Sequence, residues 1–373
     1  MKLISKLPEI TFDDVLLLPN HSAFPIEKEI QKIDLKTRLT KKIFLDIPIV
    51  SAPMPGVTES VMAIAIAKAG GIGFIHHFQS FERQLNEVKN VKEKGFRVAA
   101  CVSDYSNTGI RHIENLCRIN TDIISVETAH ANNAQTILFI RQLKKNFRNI
   151  QISAALVVDA SATEALIKAG ADNIRVGIGG GSHCTTRLVT GVGRPQLSAV
   201  AECYKITKKY NIPLISDTGV RYAGDLPKAI AFGADTVMIG GLFSGTSECP
   251  GNIIEVKGKL YKHSWGMCTD PAMRHKKPWE SANGFSMKII LKTFVKNLIG
   301  RKSQAGNLEK SFEEGVMGLI PYKGSVQTVI SDLVAGTRRS MWYQGATTIG
   351  DLRKKARIVL VSPNTLHENL PRI

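Results

Sequence analysis

Apolar residues along this chain fall into two alternating rhythms. Eight short β-rich runs (49–53, 71–76, 97–102, 123–128, 151–157, 173–178, 214–219 and 236–241) each end near small or polar residues. Between them lie stretches whose apolar positions recur at spacings of three and four, such as 61–68 and 162–169, which predict helices. Ala-Gly-Gly, Ala-Gly-Ala-Asp and Phe-Gly-Ala-Asp phrases sit where each helix should hand over to a strand, the place for a C-cap glycine. This eightfold alternation predicts a (β/α)8 barrel, and a doubly wound parallel sheet would show the same count.

Beyond the eighth run the pattern changes. In the interval 266–320, Met287, Ile290, Leu291, Phe294, Val295 and Leu298 share one helical face, and Lys288, Lys292 and Lys296 share another. Basic amphipathic helices can lie on anionic membranes. Packing against the barrel or a neighbouring subunit is the preferred reading, because an apolar stripe usually means core.

At 373 residues and 43% hydrophobic, the chain can bury a full core, in one large α/β domain or two smaller ones. No long apolar span and no signal-peptide pattern interrupts it, so a soluble cytoplasmic protein with no membrane partner is expected. The six cysteines (Cys101, Cys117, Cys184, Cys203, Cys249 and Cys268) show no CxxC spacing and no histidine cluster, which argues against structural zinc and a disulfide framework. A net charge of +17 would steer anionic ligands such as nucleotides. No nucleic-acid recognition module accompanies it, so no specific nucleic acid is expected.

The sharpest chemical feature is the run Arg175-Val-Gly-Ile-Gly-Gly-Gly-Ser-His-Cys-Thr-Thr-Arg187. Gly177, Gly179, Gly180 and Gly181 allow positive φ and close approach to a ligand. Successive amides in such a coil make an anion nest suited to phosphate. Cys184 at its end is placed like a nucleophile beside a bound nucleotide. A buried structural cysteine is the commoner fate of this residue type, but structural cysteines rarely sit in so costly a loop.

That run resembles the active-site loop of the inosine monophosphate dehydrogenase / guanosine monophosphate reductase family. Thr11-Phe12-Asp13-Asp14-Val15, Ser51-Ala52-Pro53-Met54, Gly70-Gly71-Ile72-Gly73-Phe74-Ile75-His76, Ser216-Asp217-Thr218-Gly219, Met238-Ile239-Gly240-Gly241 and Glu314-Gly315 extend the similarity through most of the chain. The resemblance favours the barrel, because Cys184, Asp217 and Gly240-Gly241 then fall at the C-terminal ends of strands six, seven and eight, the catalytic face of that fold. It implies one catalytic domain over 1–373, with a flap at about 266–320. The regulatory module many members insert after the second helix has no room here, since the chain runs from Glu87 through Lys94 straight into strand three.

By resemblance, Cys184 attacks purine C2 as a thiolate, Thr186 handles protons, and Glu314 works with Thr186. Asp217 would grip the ribose hydroxyls, which an acceptor-only carboxylate suits. Ser182, Gly219, Gly240 and Gly241 would hold the phosphate, Met54 and Met267 would complete the substrate site, and Glu127 and Thr128 would lie at the nicotinamide. Carbonyls of Gly179, Gly181 and Cys184 would hold a potassium ion, with Glu368 a match for a ligand from a neighbouring subunit's tail. A homotetramer is implied.

Both family reactions pass through a Cys184 thioimidate. The dehydrogenase hydrolyses it with a flap Arg-Tyr pair, whereas the reductase protects it from water and takes hydride from NADPH. No Arg-Tyr occurs in 266–320; Arg221-Tyr222 belongs to the loop after strand seven. Gly241, where dehydrogenases usually carry serine, and Pro195-Gln-Leu-Ser-Ala-Val200 lean the same way. The expectation is therefore NADPH-dependent reductive deamination of GMP to IMP and ammonia. The alternatives are NAD-dependent oxidation of IMP to XMP, with Arg274 or Arg301 in a rebuilt flap, and a catalytically silent nucleotide-binding protein. Glu127 in place of aspartate, Ala155-Leu156 in place of Gly-Asn, Pro55-Gly56 in place of Asp-Thr, and His183 in place of an aliphatic residue also raise a paralogue acting on a related purine nucleotide.

Overall fold

A computed structural model describes residues 7–23, 30–267 and 315–369. The eight runs become β1 Ile49–Ser51, β2 Ile72–Ile75, β3 Val98–Val102, β4 Ile123–Val126, β5 Gln151–Val157, β6 Asn173–Val176, β7 Leu214–Asp217 and β8 Thr236–Ile239. Each pairs in parallel with its sequence neighbours. The pairing of β8 with β1, which sets Val237 opposite Ile49 and Ile239 opposite Ser51, closes the cylinder. A doubly wound sheet is thereby excluded.

The helices α1 Ser60–Lys68, α2 Phe81–Glu93, α3 Asn107–Arg118, α4 Ala134–Asn146, α5 Ala160–Ala169, α6 Gln196–Tyr210 and α7 Asp225–Ala231 separate successive strands, and α8 Val326–Tyr343 follows β8. Their ends are written in the sequence. Ser80, Ser106, Asn133 and Asp159 each accept backbone N–H bonds as N-caps of α2 to α5. Gly170 ends α5 in the left-handed region at φ +112°. Between α2 and β3 lie only residues 94–97, so no domain is inserted there.

The aspartate closing each Gly-Ala-Asp phrase has a further task. Asp172 accepts the Ile152 N–H at 2.7 Å, and Asp235 accepts that of Leu214 at 2.9 Å. Asp122 does the same for Val98 at 3.0 Å. Each thereby satisfies a backbone donor near the start of an adjacent strand that the ladder would leave unpaired.

The interior is packed from inside the cylinder as well as from outside. Val50, Ile72, Phe74, Ala99, Ile123, Ile215 and Met238 meet within the barrel, and Leu39, Ile43 and Leu45 join the same cluster from the segment around the Thr37–Arg38 and Phe44–Leu45 pair. Asn173 Nδ2 ties that segment to β6 by donating to the Leu39 carbonyl at 3.0 Å. The larger cluster lies between strands and helices. Arg175 breaks the apolar pattern: it is on β6 and only 2% exposed.

Outside the barrel, β9 Ile253–Val256, β10 Lys259–Trp265 and β11 Met317–Pro321 form an antiparallel sheet. Trp265 stands opposite Met317, so the chain on either side of the flap interval comes together. The expected amphipathic helix, with Met287 to Leu298 and its three lysines, lies outside the described residues, as do Arg274, Arg301 and Glu314. No described helix is long and apolar enough to cross a membrane.

Candidate active site

A cavity of about 530 Å³ opens at the C-terminal ends of the strands, within the usual range for a small-molecule site. Its wall includes the loop from Gly177 to Cys184. A Cβ on Gly177, whose φ is +144°, would lie 1.9 Å from the Asp217 carbonyl oxygen, so the loops after β6 and β7 approach this closely only with glycine there. The Cys184 N–H donates to the Gly181 carbonyl at 3.0 Å, turning the loop. The Cys184 thiol donates to Thr186 Oγ1 at 3.1 Å. A sulfur nucleophile and a hydroxyl able to pass its proton thus already touch.

Behind them runs a buried charge network. Arg175 Nη2 and Nε reach Asp217 Oδ2 at 2.7 and 3.1 Å, and Nη1 contacts Glu127 Oε1. Ser125 Oγ donates to the same Glu127 oxygen at 2.7 Å. Burial opposes the charge on Arg175, but the two carboxylates outweigh it and hold it protonated. Burial also raises the Asp217 carboxyl above its ordinary value, against the pull of Arg175. Asp217 Oδ1 makes no hydrogen bond within the described residues and remains available to a ligand. Glu127 lines the cavity near Thr128, yet its longer side chain turns the carboxylate onto Arg175.

Ser182, Gly219, Gly240 and Gly241 line the same cavity, with Gly241 against Ser182. His183 adds a connection that its sequence position alone does not reveal. Its Nδ1 lies 3.0 Å from Ser182 Oγ and its Nε2 lies 2.8 Å from Ser264 Oγ on β10. Burial and the nearby Lys323 lower its pKa, so the ring is neutral. Ser182 Oγ sits 2.4 Å from the point a Cβ on residue 241 would occupy. A side chain at position 241 would therefore have to displace the Ser182 hydroxyl, so the two positions are in contact.

Three functional neighbours were given no role of their own by the sequence. Gln196 on α6 donates to the Val176 carbonyl at 2.7 Å and accepts from Thr218 Oγ1 at 3.1 Å, fixing the loop after β7. Thr218 is held at φ +108°, a costly conformation for a residue with a Cβ. Arg175 is the third; a lone arginine in an apolar strand was the available signal, since a buried charge requires partners.

Met54, Met267, Glu127, Thr128, Gly179, Gly181, Ser182, Cys184, Thr186, Asp217, Gly219, Gly240 and Gly241 all line the one cavity. Leu156, from the altered strand-five pair, lines it too. Glu314 lies outside the described residues, but the next residue, Gly315, forms an antiparallel backbone bridge with Cys184. Glu368 is exposed on the short helix Thr365–Glu368, and its side chain bonds to none of the glycine-loop residues. Arg221 is committed to Asp13, beside the cavity mouth, which accounts for the Arg221-Tyr222 dipeptide without a flap role.

A closed barrel carrying a cysteine loop after β6 defines an α/β-barrel enzyme that works at the C-terminal face of its strands. The chain belongs to the IMP dehydrogenase / GMP reductase family, whose domain profile matches residues 9–372, and is a purine nucleotide oxidoreductase. It is 36% identical to inosine-5'-monophosphate dehydrogenase of Borreliella burgdorferi, over 97% of this chain and 96% of that one. It is 34% identical to the enzyme of that name from Cryptosporidium parvum, over 96% and 94% of the two chains. For the Aquifex aeolicus enzyme the identity is 30%, over 95% and 93%.

Proposed function

We propose that the protein oxidises IMP to XMP with NAD, through a covalent adduct on Cys184. The observation that carries this reading is the meeting, around one cavity, of the Cys184–Thr186 pair, the half-free Asp217 carboxylate and the Ser182, Gly219, Gly240 and Gly241 cluster. Asp217 Oδ1 accepts from the ribose hydroxyls, and the glycine amides with Ser182 take the phosphate. That places purine C2 at the sulfur. The Cys184 thiolate adds to C2, and loss of the C2 hydride, for which a nicotinamide would be the acceptor, leaves a thioimidate on Cys184. Water then adds at C2, the C–S bond breaks, XMP departs and the thiol is restored. Thr186 takes and returns the proton at Sγ; Glu314 precedes the residue bridged to Cys184 and serves with it.

The nicotinamide nucleotide supplies a hydride acceptor, and the cavities suit it. Glu127 and Thr128 also line a second, polar cavity of about 620 Å³ with Ser103, Asp104, Tyr105, Ser106, Asn133, Gln135 and Thr136. Among the described residues that lining contains acids and no lysine or arginine, which favours the free ribose of NAD over the 2′-phosphate of NADPH. The names of the relatives point to the same direction of reaction. Backbone carbonyls of Gly179, Gly181 and Cys184 are hard oxygen donors that suit potassium, and a homotetramer is the proposed assembly.

A second reading, reductive deamination of GMP with NADPH, rests on the lack of an Arg-Tyr pair in 266–320. Absorbance of reduced nicotinamide separates the two. Its rise with IMP plus NAD supports the proposal; its fall with GMP plus NADPH supports the second reading.

A further inference from the structure

His183 is buried, yet it bonds to an exposed serine on the cavity wall and to a fully buried one on the flap-side sheet. Its backbone is engaged from the same side. The Val316 N–H donates to the His183 carbonyl at 2.9 Å, and Gly266 packs closely on the same residue, since a Cβ there would stand 3.0 Å from that oxygen. One residue, next to the nucleophile, therefore joins Ser182 to both ends of the described flap base.

We propose that His183 is a positioning residue that sets the Ser182 hydroxyl as a donor to the nucleotide phosphate and couples that setting to Ser264 on β10. The inference rests on the phosphate site proposed above. A neutral imidazole has one N–H and one bare nitrogen. Phosphate oxygens accept, so Ser182 must spend its proton on the ligand and accept from Nδ1–H. Nε2 is then the acceptor, and Ser264 must donate to it. The opposite tautomer turns the Ser182 proton back onto Nδ1 and faces the phosphate with lone pairs. Nucleotide binding thus selects one tautomer, and the orientation of Ser264 follows from it. An aliphatic residue at this position has no means of transmitting either setting.

The test measures dissociation constants for IMP and for inosine, which lacks the phosphate, by calorimetry on the full chain. H183L is expected to weaken IMP about tenfold, the size of one lost hydrogen bond, while inosine stays within about twofold. S264A should weaken IMP in the same sense. H183N, whose amide can donate to Ser182, should recover most of the loss. If H183L weakens IMP and inosine alike, or leaves IMP unchanged, His183 has no part in phosphate binding and the inference falls alone. If the wild type binds IMP no more tightly than inosine, the phosphate site itself is wrong and both fall.

Discussion

Arg175 directs two nitrogens, Nη2 at 2.7 Å and Nε at 3.1 Å, at a single oxygen of Asp217. The arginine holds the carboxylate from behind and leaves Oδ1 facing the cavity. Asp217→Asn keeps the shape but gives up charge-assisted bonds to ribose, so IMP affinity should fall by about 10- to 100-fold. Arg175→Met instead strands Glu127 and Asp217 as uncompensated carboxylates inside the barrel. It should lose about 3–5 kcal/mol of stability, read by chemical denaturation at neutral pH.

Thr186 accepts the Cys184 thiol proton across 3.1 Å. Thr186→Val preserves volume and removes the hydroxyl. Turnover should fall about 10²-fold, in the range for lost proton transfer, while the IMP dissociation constant changes little. Equal losses in both would mean the hydroxyl serves binding instead.

The contact between Ser182 and Gly241 predicts non-additivity. G241S pushes a new Cβ to within 2.4 Å of Ser182 Oγ, so it should displace that hydroxyl and raise the KM for nucleotide. Adding S182A removes the clash, and the double variant should bind better than G241S alone. Additive losses in the four-way comparison would show that the two residues act separately.

His112 gives the fold a pH dependence. Its Nε2 lies 2.7 Å from Gln84 Oε1, and the Gln84 amide nitrogen is spent on the His76 and Cys101 carbonyls, so the histidine donates. Burial lowers its pKa from 6.5 to about 4. The folded state therefore resists a proton that the unfolded chain accepts. No penalty exists above pH 6.5; stability falls as pH drops from there to about 4, by up to about 3 kcal/mol. His112→Gln should flatten that slope in urea titrations across the same window.

Much of the barrel was legible because each strand and helix announces itself locally. The strand runs, the N-cap residues and the glycine phrases all stand where the elements begin and end. The cysteine loop was legible for the same reason, being one continuous segment. What escaped reading was pairing across the closed sheet. Arg175 meets partners 48 and 42 positions away, and His183 meets Ser264 81 positions away. Such contacts join residues on different strands and loops, which no local stretch of sequence brings together. Glu127 stood out in the sequence as a departure beside the nicotinamide; what the sequence did not disclose is the buried Arg175 that its carboxylate meets.

The most direct measurement is the intact mass of the protein quenched during turnover with IMP and NAD. A species heavier by one nucleotide, less the hydride and proton lost, should appear on the peptide containing Cys184 and vanish in Cys184→Ala, which should still bind IMP. XMP accumulating with no adduct at Cys184, or turnover persisting in Cys184→Ala, would contradict covalent catalysis by that sulfur.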